Sequence, residues 1–421
     1  MGQGVFHGPN KPAFLICCFS SAVVARSVAH CYDTPVMPAL PDSQMLLATL
    51  RKQEKEMVKI LGALVRLESP SFVKAAVDCC GERVAAEWHK RGARIEFLRQ
   101  KHRGNHLRVT LKPTGPRAKG QLLILGHLDT VYDIGTLQRM PFRVAKGCAW
   151  GPGAFDMKAG IVQALFAAEA LERTRTPLGK RVVCLWTSDE EIGSGASREV
   201  IEREALRSDA VFVLEPAFGL RGSLKTSRKG VGQVEIEITG RAAHAGLEPQ
   251  KGVNAVHELA LQISRVAGFN DFRRGITVNA DIIEGGTRAN VIAERARAVI
   301  DIRAARIADM KWLERRLRSL RPILPGARLR VTGGFNRPPL ERKMSAALYR
   351  RAQLLADEMG FLIGESPAGG GSDGNLTAAA GVPTLDGLGA VGGGAHSPAE
   401  HALIRAMPER AALLAALLAT T

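Results

Sequence analysis

Gln121-Leu-Leu-Ile-Leu-Gly-His-Leu-Asp-Thr130 is the stretch that decides the fold. Four consecutive apolar residues, with none of the alternation of a strand wetted on one face, predict a strand buried on both sides, and such strands belong to sheets covered by helices. The run ends at Gly126 and brings His127 and Asp129 to the strand's carboxyl end, where open α/β sheets bind their ligands.

Outward from this segment the same signature recurs. Arg181-Val-Val-Cys-Leu-Trp186 and Ala210-Val-Phe-Val-Leu214 are further strands, with a helix expected over 196–205 between them. Ile161, Ala164, Leu165, Ala168 and Leu171 fall on one face of a helix, and Leu46, Leu47, Leu50, Val58, Leu61, Leu64 and Val65 predict an amphipathic opening helix. Near Ser227 the character changes. Residues 231–240 alternate apolar and polar with a period of two, and shorter runs at 277–283, 296–303 and 328–332 follow, with helices at 254–266 and 309–320. Strand, helix, two strands, helix, strand is a small α+β (ferredoxin-like) unit with one wet face. After Pro338-Pro339 the first style returns, with a helix over 345–359 and a strand near 382–385. The expectation is therefore an α/β doubly wound mixed sheet, with a leader over 1–43, a larger domain over 44–226 and 338–421, and a smaller domain inserted over 227–337.

A chain of 421 residues exceeds the roughly 250–300 that one core sustains, so two domains are expected on size alone. No stretch of about 20 apolar residues could span a bilayer, so no membrane partner is expected. Lys plus Arg exceed Asp plus Glu, 58 against 41, but the excess is scattered and only three Tyr could stack on bases, which argues against nucleic acid as a partner. Seven cysteines without a C-x-x-C pair point to idle thiols. The first 36 or so residues carry an apolar run over 13–24 followed by Ala25-Arg-Ser-Val-Ala29. Signal peptide, extension, and a true start at Met37 or Met45 all fit, so localisation, cytoplasmic or periplasmic and secreted, stays open.

The ends of three strands bear groups that bind metals: His127, the Glu190-Glu191 pair, and Glu215. Asp156 sits in a glycine-bounded turn before a helix, and His396 follows the last strand in Gly392-Gly-Gly-Ala-His-Ser-Pro398. Each alone has an ordinary explanation, but the set closes chemically. With Asp156 shared between two zinc ions, His127 and Glu215 complete three protein ligands on one, and Glu191 and His396 complete three on the other. Each ion then keeps the open position of a catalytic site. Asp129 is placed to accept the other imidazole proton of His127. Glu190, adjacent to a ligand, is placed as general base.

The motifs Gly126-His-Leu-Asp-Thr-Val131, Gly151-Pro-Gly-Ala-Phe-Asp-Met-Lys158, Ser188-Asp-Glu-Glu-Ile-Gly193, Leu214-Glu-Pro216, Ala243-His-Ala-Gly246, Asn290-Val-Ile292, Asp301-Ile-Arg303, Gly369-Gly-Gly-Ser-Asp-Gly374 and Ala395-His-Ser397 come in a telling order. In that order they resemble the co-catalytic zinc aminoacylase and carboxypeptidase family, and its glutamate carboxypeptidase (carboxypeptidase G) branch above all. The resemblance implies a zinc-dependent exopeptidase-like fold in which 44–226 and 338–421 form the catalytic domain and 227–337 an inserted lid or dimerisation domain, two Zn2+ per subunit with Co2+ or Mn2+ as substitutes, and a homodimer. It implies that His244 stabilises the tetrahedral oxyanion, often in the partner's site, that Asn290 and Arg303 hold the substrate carboxylate, and that Gly371 and Ser372 line the pocket. The branch's glutamate-reading lysine is replaced here by Ser223, with Lys225, Arg228, Lys229 and Arg337 as candidates for its task. The implied activity is cleavage of an amide bond that releases a C-terminal, glutamate-like amino acid from a small peptide or N-acyl amino acid. Deacylation of acetylated or succinylated amino acids, dipeptide cleavage, and a non-catalytic binding protein on the same scaffold are the alternatives.

Overall fold

The structure is a computed structural model that describes residues 42–114 and 119–421. The leader expectations for 1–41 lie outside them. The main sheet has six strands in the spatial order Arg94–Leu98, His106–Leu111, Arg181–Thr187, Gln121–His127, Ala210–Val213 and Thr384–Leu385. The first three pair with one another in antiparallel fashion and the last four, which share the third strand, pair in parallel, so the sheet is mixed. Along the central strands Leu122, Ile124, Val182, Cys184, Ala210 and Phe212 enter one core, while Leu123, Leu125, Val183, Leu185, Val211 and Val213 enter another. That period of two, apolar on both sides, is why these strands read as unbroken hydrophobic runs. Helices Ala159–Arg173, Ala406–Thr420 and Ser43–Arg51 cover the first face, and Arg198–Leu206 and Gly374–Ala379 the second. The packing that fixes the strand ends is costly to disturb, since truncating one such buried Leu to Ala removes about 2–5 kcal/mol.

Several elements depart from the expectation. The opening helix is two, Ser43–Arg51 and Glu54–Val65, because the chain turns at Lys52-Gln53 while the apolar period continues across the break. The strand expected to end at Leu125 continues through His127. Four short strands, Arg143–Ala145, Cys148–Trp150, Gly392–Gly393 and His401–Leu403, form a side sheet that brings the His396 loop near the Asp156 turn. They are only two or three residues long, too short for any periodicity to reveal them.

Gly230–Thr239, Thr277–Gly285, Arg295–Ala304 and Arg328–Arg337 form a separate antiparallel sheet, with Thr277–Gly285 and Arg328–Arg337 at its edges. Helices Ala255–Ala267 and Ile307–Arg318 pack on one face, around Val234, Ile236, Ile238, Leu259, Ile300, Leu313 and Leu317. This is the expected ferredoxin-like arrangement. Asn254 caps the first helix by accepting the N–H groups of Val256 and His257. The last strand runs to Arg337, five residues past the expected 332, with a bulge that leaves Asn336 unpaired between Phe335 and Arg337. Among the described residues no helix is long and apolar enough to cross a membrane.

Candidate metal centre

His127 closes a strand buried along its whole length. Its predecessor must be glycine, because a Cβ on Gly126 would lie 2.5 Å from the Met157 methyl and 2.9 Å from the Trp186 ring. The imidazole Nε2 of His127 lies 3.3 Å from Asp156 Oδ1 and 3.5 Å from Glu215 Oε1. On the other side of Asp156, His396 Nε2 lies 3.5 Å from Oδ2 and 3.2 Å from Glu191 Oε2. The five sequence-predicted ligands thus form two triads, His127–Asp156–Glu215 and Asp156–Glu191–His396, with the donor atoms of each within 4.8 Å of one another. Asp156 Oδ1 is buried without a hydrogen-bond partner. A carboxylate with an imidazole nitrogen on each oxygen, one of those oxygens orphaned, and two further carboxylates beside it suits a pair of divalent cations, whose charge would satisfy it.

The electrostatics bear the same mark. The Asp156 and Glu191 carboxylates, as acceptors of its ring N–H, push His396 up to about 10. Burial opposes protonation of His127, but Asp129, Asp156 and Glu215 outweigh it and raise the ring well above its ordinary value. Burial would lift Asp156, yet His127 and His396 hold it below the usual carboxylate range. Metal binding, which needs both imidazoles neutral, would run against these shifts. Glu190 is pushed well up by burial, against the pull of Arg337, and a carboxyl made more basic is suited to taking a proton from water.

The surroundings hold groups that spacing alone did not reveal. Glu400, fully buried, accepts the backbone N–H groups of Phe155 and Asp156 at 2.9 and 3.0 Å, and its other oxygen accepts the Tyr132 hydroxyl. It fixes the backbone of the shared ligand; its only sequence trace is an acid four residues after His396. Arg228 donates to Glu215 Oε2 at 3.2 Å, to both oxygens of Asp386, and to the carbonyls of Gly370 and Gly371. Its guanidinium is therefore consumed within the protein. Asp129 acts differently from expectation. The Nδ1 of His127 lies 2.9 Å from the Asp129 backbone carbonyl and 3.6 Å from its carboxylate. The carboxylate instead accepts the N–H groups of Glu190 and Glu191, at 3.3 and 3.2 Å, and the Ser71 hydroxyl. One residue thus orients a histidine through its main chain and the Glu190-Glu191 turn through its side chain.

The expected substrate residues are placed less uniformly. His244 and Asn290 are exposed on neighbouring segments of the smaller sheet's unit, joined by the Ala245 N–H to Asn290 carbonyl bond. Among the described residues no hydrogen bond or ion pair joins either to the carboxylate cluster; His244 Nδ1 accepts the N–H groups of Gly246 and Leu247. Arg303 forks onto its own Asp301 and donates to the Gly369 carbonyl. Ser372 is fully buried with its hydroxyl on Asp386, so it braces the glycine loop and presents nothing to a substrate here. Arg337 is turned to Glu190, and Gly371 packs against its stem. Lys225 stands apart. Burial, then Arg228, lowers its pKa against the pull of Glu215, Asp386 and Asp156, and among the described residues its ammonium makes no hydrogen bond or ion pair. A groove of about 800 Å³ beside Glu87 and Glu169 lies elsewhere, and ion pairs with Arg83, Lys90, Arg91 and Arg173 occupy both acids.

Comparison with known proteins adds a lineage to this geometry. Residues 123–420 match the description Peptidase family M20/M25/M40. Carboxypeptidase G2 of Pseudomonas sp. (strain RS-16) is 31% identical over 406 residues, covering 94% of this chain and 96% of that protein. Acetylornithine deacetylase of Pasteurella multocida (strain Pm70) is 32% identical over 218 residues, 48% of this chain and 54% of that protein. The structure of aminopeptidase PepT from Bacillus cereus ATCC 10987 superposes with a TM-score of 0.72 at 20% identity, covering 87% of this chain and 98% of that one, a likeness of fold.

Proposed function

This chain belongs to Peptidase family M20/M25/M40 and is an amide-bond hydrolase, and from that premise we propose that it uses two zinc ions to release a C-terminal amino acid, acidic by preference, from a peptide or an N-acyl amino acid. The observation that carries the reading is the pair of triads sharing Asp156, with Glu190 buried beside them. His127, Asp156 and Glu215 hold one ion, and Asp156, Glu191 and His396 the other, with cobalt or manganese as substitutes. Bound there, the ions supply Lewis acidity toward the scissile carbonyl and make water a better nucleophile.

The chain's own residues do the rest. Glu190 takes the proton of the attacking water and returns it to the leaving amine nitrogen. Asp129 keeps Glu190 and Glu191 on one turn through their N–H groups. Residues 227–337 act as the lid, with 44–226 and 338–421 as the catalytic domain. Arg303 receives the substrate's α-carboxylate with Asn290, exchanging its Asp301 fork for the substrate's. His244 donates to the developing oxyanion. Because His244 and Asn290 are exposed and, among the described residues, no hydrogen bond or ion pair joins them to their own centre, the chain on this reading works as a homodimer in which each subunit completes the other's site. Lys225 supports the acidic preference. Ser223, Lys225 and Ser227 alternate with the buried Leu224, Thr226 and Arg228, so Lys225 shares the face on which Ser223 stands in place of the branch's lysine.

That same serine favours a second reading, deacylation of acetylated or succinylated amino acids, the reactions named for the acetylornithine deacetylase and succinyl-diaminopimelate desuccinylase relatives. A panel of N-acyl amino acids and dipeptides, assayed with zinc, cobalt and manganese, separates the two. C-terminal glutamate or aspartate should be preferred, and Lys225→Met should erase the preference. Uniform rates across the amino acid, with choice exercised on the acyl group, would establish the deacylase instead.

A further inference from the structure

Asn336 and Arg337 end the last strand of the smaller sheet, and both grip the turn that carries Glu190. Asn336 donates from Nδ2 to the Gly193 carbonyl at 2.9 Å and accepts from Arg198. Arg337 Nη2 lies 2.9 Å from Glu190 Oε1 and donates toward the Glu190 carbonyl at 3.0 Å, Ser194 Oγ at 2.6 Å and Asp373 Oδ1 at 3.1 Å. Successive side chains of a regular strand point to opposite faces, so two neighbours could not hold one turn. The bulge between Phe335 and Arg337 removes that restriction. The side chain of Arg337 is only 11% exposed, and Glu190, with Asp373 and Glu215 nearby, sits where a buried carboxylate needs a cation beside it.

We propose that Arg337 is a positioning residue for Glu190. Together with Asn336 it fixes the carboxylate at the point from which a proton is exchanged with water, and it ties that carboxylate to the exit strand of the inserted unit. The proposal rests on the reading of Glu190 as the base. In each turnover the proton passes from the water oxygen to Glu190 and from Glu190 to the amine nitrogen, and the guanidinium keeps all its protons throughout.

The test compares kcat, KM and metal content of the full-length wild type with Glu190→Gln, Arg337→Lys, Arg337→Ala and Asn336→Ala, on a substrate that the wild type hydrolyses. Arg337→Ala should lower kcat by about 10- to 100-fold, as expected for a misplaced reacting group, with KM within about threefold and metal content unchanged. Guanidinium or methylguanidinium added to Arg337→Ala should restore much of kcat, Arg337→Lys should fall between, and Asn336→Ala should show a milder version of the same split. A raised KM with kcat kept would mark Arg337 as a substrate binder and overturn the proposal, as would a loss of rate cured by excess metal. Should Arg337→Ala fail to fold, Arg337→Lys carries the same distinction. Glu190→Gln judges the underlying reading separately. If it retains near-normal rates the base is elsewhere, whereas an inactive Glu190→Gln beside a fully active Arg337→Ala sinks only the positioning role.

Discussion

The floor of the cleft and the unit above it are built on opposite principles. The five metal-ligand candidates converge through strand ends and turns, and backbone and side-chain bonds brace them from behind: Asp129 under the Glu190-Glu191 turn, Glu400 under Asp156, Arg228 under Glu215. His244 and Asn290, by contrast, are exposed with no bond to that cluster, and Arg303 is held by its own Asp301. On the reading proposed above, the metal-ligand side is finished within one chain and the substrate-facing side is completed by a second. The difference teaches that metal affinity and turnover should respond to separate sets of residues.

Three experiments can break or sharpen that contrast. The largest effect belongs to Asp156→Ala, which removes the one ligand common to both triads. Both metals should be lost and turnover should fall to background, measured by metal analysis and a linked assay. Retention of one tightly held ion with measurable activity would show that the centre is not shared. Next, His244→Ala should lower kcat by about 10²–10³-fold, the usual cost of one oxyanion donor, while leaving metal content untouched. Mixing it with Glu190→Gln should recover activity, because a mixed dimer rebuilds one intact site; no recovery after subunit exchange would place the histidine in its own subunit's cleft. The smallest effect should come from Glu400→Ala. Apparent metal affinity should fall by roughly 10- to 100-fold, with kcat near normal at saturating metal. The pH enters here with a definite sign: His396, pushed up to about 10, must release a proton on binding, so metal should leave more readily as pH falls. Chelator-driven loss that is slower at pH 6 than at pH 8 would contradict it.

The floor was more legible than its supports. His127, Glu191 and Glu215 announce themselves because an apolar run that stops at a polar residue marks a strand's end, and strand ends converge. Glu400 escapes such reading because it acts on backbone N–H groups of residues 244 and 245 positions earlier, and any acid in the right loop would look the same. The pairing of Asp129 with His127 is readable from their spacing, but the atom that makes it is not, since sequence says nothing of whether a carbonyl or a carboxylate lies nearer a ring. The grip of Arg337 on Glu190 depends on a bulge, and a one-residue slip in register leaves no compositional sign. The break at Lys52-Gln53 was hidden for a similar reason, because both helices bury faces in the same core and the apolar spacing runs on unbroken.

The bulge has a neighbour of wider consequence. Arg337 pairs with Val231, so the chain leaves the smaller sheet beside the point where it entered. Two adjacent crossings make that unit a detachable cassette. It can be exchanged for a relative's without rethreading the main sheet, provided the Asn336 and Arg337 hold on the Glu190 turn is kept, so an evolutionary line can revise what it recognises while its metal ligands are left alone.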